Sequence, residues 1–191
     1  MVKEVLEQLF DSPVKVKLLK LFLRNPDYFF EIGEIARRIK SDSSVCRRQV
    51  SKLESINLIT SKLKSNKKVY SVNSDFGFYT ELRTLVLKSS PASKDKILKR
   101  LKVIGAIKLV LLSGVFVNLD NARVDLLVVG DNIDNKKMGA FLRDLEAEVG
   151  KEIDYVVLSL KEFRYRHDMF DRFLRDILEK PHEKLINKLK V

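Results

Sequence analysis

Cysteine occurs once and histidine twice in 191 residues, and no low-complexity tract or internal repeat interrupts the chain. A single thiol cannot close an intramolecular disulfide. Two histidines without a cysteine pattern give no zinc ligand set, so redox and zinc chemistry are set aside. No apolar run approaches the roughly 20 residues that span a bilayer. The opening segment "MVKEVLEQLF" carries acids and has no cleavage signal, so a soluble, cytoplasmic chain with no membrane partner is expected. What remains is an ordinary globular balance, 45% hydrophobic and 33% charged, enough for one large domain or two small ones.

Positive charge is in excess. The net charge is +11, an imbalance that favours a polyanionic partner. Residues 1 to 90 hold 17 basic and 10 acidic side chains, whereas residues 91 to 191 hold 20 and 16. Within residues 35 to 72 alone there are 10 basic and 2 acidic side chains, so +8 is concentrated in about a fifth of the chain.

"KSSPASKDK" (Lys88 to Lys96) is polar, rich in serine and broken by Pro91, which marks a linker between domains at 1–88 and 97–191. In "DSPVKVKLLKLFLRN", Ser12 is placed to cap a helix beginning at Pro13, with Val14, Leu18, Leu21 and Phe22 at helical spacing. "EIGEIARRIK" predicts a second helix with Ile32, Ile35, Ala36 and Ile39 on one face. "SSVCRRQVSKLESI" predicts a third, with Cys46, Val50, Leu53 and Ile56 inward and Asn57 at the turn that ends it. "LITSKLK" and "KVYSVN" read as two strands joined by the polar tip "SNK". A fourth helix is expected around Phe78, Leu82, Leu85 and Val86, packing on the domain or pairing two subunits.

After the linker, helix ("KDKILKRLKVI"), strands ("IKLVLLS", "RVDLLVVG"), helix ("KKMGAFLRDLEAEVG") and strand ("IDYVVLS") alternate. Helices are expected in "FDRFLRDILE" and, beyond a stop at Pro181, in "HEKLINKL". The fold class is therefore α+β: three helices with a hairpin, then a small α/β domain with C-terminal helices. In the tail, Phe163, Tyr165, Met169, Phe170, Phe173 and Leu174 read as a core stripe rather than a base-stacking surface. His167 beside Asp168 lacks a nucleophile and suggests no catalytic pair.

Over residues 10 to 75, "EIARRIKSDSSVCRRQVSKLESINLI" with its basic hairpin resembles the winged helix-turn-helix regulators, including those of the ArsR kind. That resemblance implies double-stranded DNA as partner, read by the third helix in the major groove with the hairpin as a wing along the backbone. Ser43, Ser44, Arg47, Arg48, Ser51 and Lys52 are then the outward helix positions, and the two arginines suit guanine edges and phosphates. Lys62, Lys64, Lys67 and Lys68 on the wing are assigned to phosphate contact. Cys46, on the apolar face of the helix, reads as a small core residue and not as a redox sensor.

"SGVFVNLDNARVDLLVVGD" (Ser113 to Asp131) has a strand, a Ser-Gly turn and an acid-bearing strand. From about Ala106 to Ser159 the chain resembles the minimal nucleotidyltransferases of the DNA polymerase beta superfamily. That family implies a metal held by two alternating aspartates and a third from a later strand. Here Ser113 and Gly114 stand at the turn in reversed order, Asp125 matches the second acid and Asp154 the third, but Arg123 occupies the first place. A fixed cation there removes a ligand and repels magnesium. Catalytic residues and metal ligands are accordingly not assigned, and no cofactor beyond weak magnesium or nucleotide binding is expected. Three readings stay open: Asp120 as substitute ligand, an anion pocket of Ser113, Gly114, Arg123, Asp125 and Asp154, or an inert scaffold in which Arg123 pairs with Asp125 or Asp154.

Read together with "LEAEVGKEIDYVVLS", "FRYRHDMFDRFLRDIL" and "PHEKLINKL", the string resembles a family of small two-domain bacterial proteins in which a winged helix precedes a transferase-like domain. The resemblance implies an architecture and no particular activity. The expected function is a dimeric DNA-binding transcriptional regulator whose degenerate transferase-like domain senses a nucleotide or small anion, or dimerises. The alternatives are an active nucleotidyltransferase acting on a protein or RNA with the winged helix as docking module, and a protein-interaction adaptor.

Overall fold

In the computed structural model, residues 5–89 and 92–191 are described; Ser90 and Pro91, at the centre of the expected linker, lie outside the described residues. The chain is mixed α and β with two sheets and divides into two compact units: Met1–Ser89 with Arg143–Lys151, and Ser90–Leu142 with Glu152–Val191. Among the described residues no helix is long and apolar enough to cross a membrane.

The first unit is built on its second helix. After α1 (Val5–Phe10), α2 (Pro13–Arg24) begins where Ser12 accepts the Lys15 N–H at 3.2 Å and Pro13 needs no partner for its nitrogen. Leu18, Leu21, Phe22 and Leu23 of α2 are fully buried, each contributing on the order of 1.5–3 kcal/mol of transfer free energy. The short strand β1 (Phe30–Glu31) leads into α3 (Ile32–Ile39), which buries Ile35, Ala36 and Ile39. Lys40 then takes a left-handed conformation, φ 51°, and the Ser41 N–H returns to the Ala36 carbonyl at 3.0 Å, ending the helix.

One residue further, Asp42 starts α4 (Ser43–Ser55) by accepting the N–H groups of Ser44 and Val45, at 2.8 and 3.4 Å. The Ser44 hydroxyl, then these two N–H groups, hold the Asp42 carboxyl below the ordinary aspartate range. Cys46, Val50 and Leu53 turn inward as the spacing predicts, but Ile56 does not. The helix stops at Ser55, and Ile56 is 54% exposed just outside it. Asn57, φ 60°, makes the turn, and the Leu58 N–H closes on the Leu53 carbonyl at 3.1 Å.

Strands β2 (Ile59–Lys64) and β3 (Lys67–Val72) pair antiparallel around Ser65 and Asn66, both at positive φ, a two-residue reversal matched to strand twist. β1 adds to the far edge of β3, giving the order β1-β3-β2. A last helix of this unit, α5 (Tyr79–Lys88), buries Val86 and packs Leu82 against the core, while Phe78 and Leu85 are exposed.

The second unit starts with α6 (Lys94–Leu101) and β4 (Ala106–Leu112); a short 3-10 turn over Gly114–Phe116 leads through a loop to β5 (Leu126–Asp131). Then follow α7 (Asn135–Val149), whose second half groups with the first unit, β6 (Tyr155–Leu158), α8 (Leu160–Asp168), α9 (Arg172–Glu179) and β7 (Glu183–Asn187). The sheet order is β6-β5-β4-β7, with β5 and β6 parallel and the other pairs antiparallel. The fully buried run Leu126 to Val129 makes β5 the centre of the core.

Two expectations fail here. "HEKLINKL" is not a helix: Glu183–Asn187 pairs with the free edge of β4. A short run with Leu185, Ile186 and Leu189 fits either period, and hydrogen-bond partners some 75 residues back decide for the strand. Nor is the aromatic tail a single core stripe. Phe163 and Leu174 are buried and Phe173 packs against them, but Tyr165, Met169 and Phe170 face solvent, Phe170 being 79% exposed.

Candidate nucleic-acid interface and the carboxylate turn

Helical geometry sorts α4 into two faces. Against the buried Cys46, Val50 and Leu53 stand Ser43, Ser44, Arg47, Arg48, Ser51 and Lys52, all exposed. Burial pushes the Cys46 thiol up from its ordinary value, which suits an unreactive core residue. Ser44 is partly committed, since its N–H and hydroxyl both donate to Asp42. Among the described residues no ion pair engages Arg47, Arg48 or Lys52. Three cations on one solvated helix face, with no internal partner, can meet an external anion at no cost in broken pairs.

The hairpin lysines are arranged differently. Lys62 lies over the Phe29 ring, its ammonium 3.6 Å from the centroid, and Lys64 approaches the same ring at 5.9 Å. Lys67 donates to both carboxylate oxygens of Glu31, at 2.9 and 3.2 Å. Lys68 pairs with Glu54 at 3.2 Å, and Glu54 also accepts the Ser61 hydroxyl. The Ser61 bond, then the lysine, holds the Glu54 carboxyl below its usual range, and the Glu54 bond in turn raises Lys68. Sequence reasoning missed Phe29, Glu31 and Glu54. For Glu54 the signal was present, as it stands near the end of the helix that feeds the hairpin. For Phe29 and Glu31 the link is the β1–β3 pairing, which sets Glu31 opposite Val69 and has no local signature.

In the second unit the turn residues are tied to one another. Asp125 is 7% exposed, and its two carboxylate oxygens accept backbone N–H groups, from Val115 at 2.7 Å and from Asp154 at 3.0 Å. The Ser113 hydroxyl donates to the Val124 carbonyl at 2.5 Å, and the Ser113 N–H to the Asp125 carbonyl at 2.8 Å. Gly114 sits at φ 51° with the Asp125 carboxylate where a side chain would be: an added Cβ would lie 2.0 Å from Oδ1. Ser113, Gly114, Asp125 and Asp154 are thus brought together, with Asp125 joining the turn after β4 to the strand entry of β6. Arg123 is not part of this group. It reaches neither Asp125 nor Asp154 but binds Asp176 of α9, through Nε at 3.0 Å and Nη2 at 2.9 Å. That bond holds the Asp176 carboxyl below the usual 3.8. Asp120 is exposed, as is the side chain of Asp154. Among the described residues no group of three or more His, Cys, Asp or Glu is placed to hold a metal ion.

A groove of about 280 Å³ between α8 and α9 is lined by the apolar Phe170, Leu174 and Leu178 and by the charged or polar Arg166, His167 and Arg175. His167 lies 3.6 Å from Asp168 and stacks on the buried Phe163 ring. Comparison with known proteins finds no matching family model, no matching curated protein and no matching solved structure.

Proposed function

We propose that the chain is a cytoplasmic, DNA-binding transcriptional regulator of the winged-helix kind, acting as a homodimer, whose second unit is a transferase-like domain without transferase activity that serves ligand sensing or dimerisation. The observation that carries the reading is the exposed face of α4. Arg47, Arg48 and Lys52 stand there without ion-pair partners among the described residues, on a helix whose opposite face is locked into the core and whose N-terminus follows a tight turn from α3. The antiparallel hairpin that follows supports the same reading, as does the concentration of +8 within residues 35 to 72.

Fluorescence anisotropy against the DNA upstream of the chain's own gene and a scrambled duplex, at several salt concentrations, tests it. A preference for the first that persists at about 150 mM salt is expected. Equal affinities that collapse together with salt would reduce the charge to non-specific attraction.

The transferase alternative has less support, because it requires Asp125 and Asp154 to hold a metal together beside Arg123, and both Asp125 oxygens already accept backbone N–H groups. A protein-contact role for the second unit is favoured by the α8–α9 groove, which the exposed Phe170 lines, and by the exposure of Tyr165 and Met169. Sedimentation of the wild type and of Phe170→Asp separates that role from ligand sensing: only the former predicts a smaller assembly for the variant.

A further inference from the structure

All four lysines of the hairpin have partners within the first unit, whereas among the described residues Arg47, Arg48 and Lys52 of α4 have none. The strand register accounts for part of this. Lys64 stands directly opposite Lys67, a like-charged cross-strand pair that is unfavourable unless each ammonium is drawn aside. Phe29 draws one and Glu31 the other. Lys68 stands opposite Leu63 and needs no such relief, yet it too is held, by a carboxylate already anchored on Ser61. The two acids therefore do more than separate neighbours, because they neutralise the second strand of the hairpin.

We propose that Glu31 and Glu54 are counter-charges that limit how many phosphates the hairpin can neutralise, leaving Arg47, Arg48 and Lys52 to carry the DNA contact. This inference rests on the DNA-binding reading above. Affinity for arbitrary duplexes depends on the number of phosphates neutralised, and each contact withheld removes about 0.9 from the slope of log K against log salt. Exposed pairs of this kind are weak, about 0.2–1 kcal/mol, so they restrain a lysine without locking it. Freeing one lysine is accordingly a gain of about 1.4- to fivefold in affinity for any duplex.

The test is a double-mutant cycle on the full chain, read by anisotropy with a random-sequence duplex between about 50 and 200 mM salt. Glu31→Gln and Glu54→Gln are each expected to bind about 1.4- to fivefold tighter with a slope steeper by up to about 0.9. Lys67→Gln alone is expected to change binding less than about twofold, and Glu31→Gln with Lys67→Gln to return to wild type. A purely structural role for Glu31 would move the melting temperature but not the salt slope. Two results overturn the proposal: Glu31→Gln leaving affinity and slope unchanged, or Lys67→Gln alone weakening binding as much as Arg48→Gln does. Absence of binding by the wild type to every duplex would be a different failure, removing the DNA reading itself and this inference with it.

Discussion

The exposed face of α4 and the turn at Ser113–Asp125 are both clusters of polar residues that the sequence marks out, and the fold treats them in opposite ways. On α4 the helix satisfies its own backbone, and among the described residues the side chains of Arg47, Arg48 and Lys52 are left without an ion pair. At the turn the backbone reverses between β4 and β5 and cannot satisfy itself, so Asp125 and Ser113 spend their hydrogen-bonding capacity on it. A charged residue is available to a ligand only where the chain has no prior need of it. The hairpin lies between these extremes, with lysines held by weak exposed pairs.

The sharpest test of this contrast is charge reversal on α4. Arg47→Glu with Arg48→Glu should abolish sequence preference and cost about 3 kcal/mol or more, on the order of a hundredfold in Kd, with little change in melting temperature. A large loss of stability would mean that these arginines are structural after all.

Substitutions at the turn should do the reverse. Gly114→Ala combines a left-handed backbone with a Cβ 2.0 Å from the Asp125 carboxylate, and should destabilise by about 3 kcal/mol in denaturant unfolding. Asp125→Asn keeps one accepting oxygen and turns an NH₂ toward the other N–H. A loss of about 2 kcal/mol is expected, with DNA affinity unchanged in the folded fraction. If Asp125→Asn were as stable as the wild type, the carboxylate would be free for a ligand and the contrast would collapse.

Arg123→Ala should have the smallest effect. Its pair with Asp176 is exposed, so the melting temperature at pH 7 should stay within error of the wild type. The Asp176 carboxyl should rise toward 3.8 in an NMR titration. Because its native value lies below the unfolded one, the pair favours the fold above about pH 3.8 and that contribution is lost as pH falls through the native value. An Asp176 value unmoved by the substitution would show that Arg123 spends its time elsewhere.

Much of this was legible from the residues. Ser12 before Pro13, Asn57 after Leu53 and the alternation around Ser65–Asn66 act over a few positions, and local hydrogen bonds and φ preferences suffice to place them. The inward set Cys46, Val50 and Leu53 followed from helical spacing, while Ile56 was missed by one residue of helix end. The longer-range misses share a cause: β7, Arg123 and the hairpin lysines each depend on a partner far away in the chain.

The sequence by itself determined the local periods, the caps and turns, and the crowding of positive charge into residues 35 to 72. Tertiary structure alone decided which charges are spoken for. It set Glu31 within reach of Lys67, turned Arg123 toward Asp176, and gave Asp125 two backbone donors from segments 10 and 29 residues away. Ion pairs and buried hydrogen bonds require separations of about 3 Å. Only the packing of the whole core brings such distant residues that close.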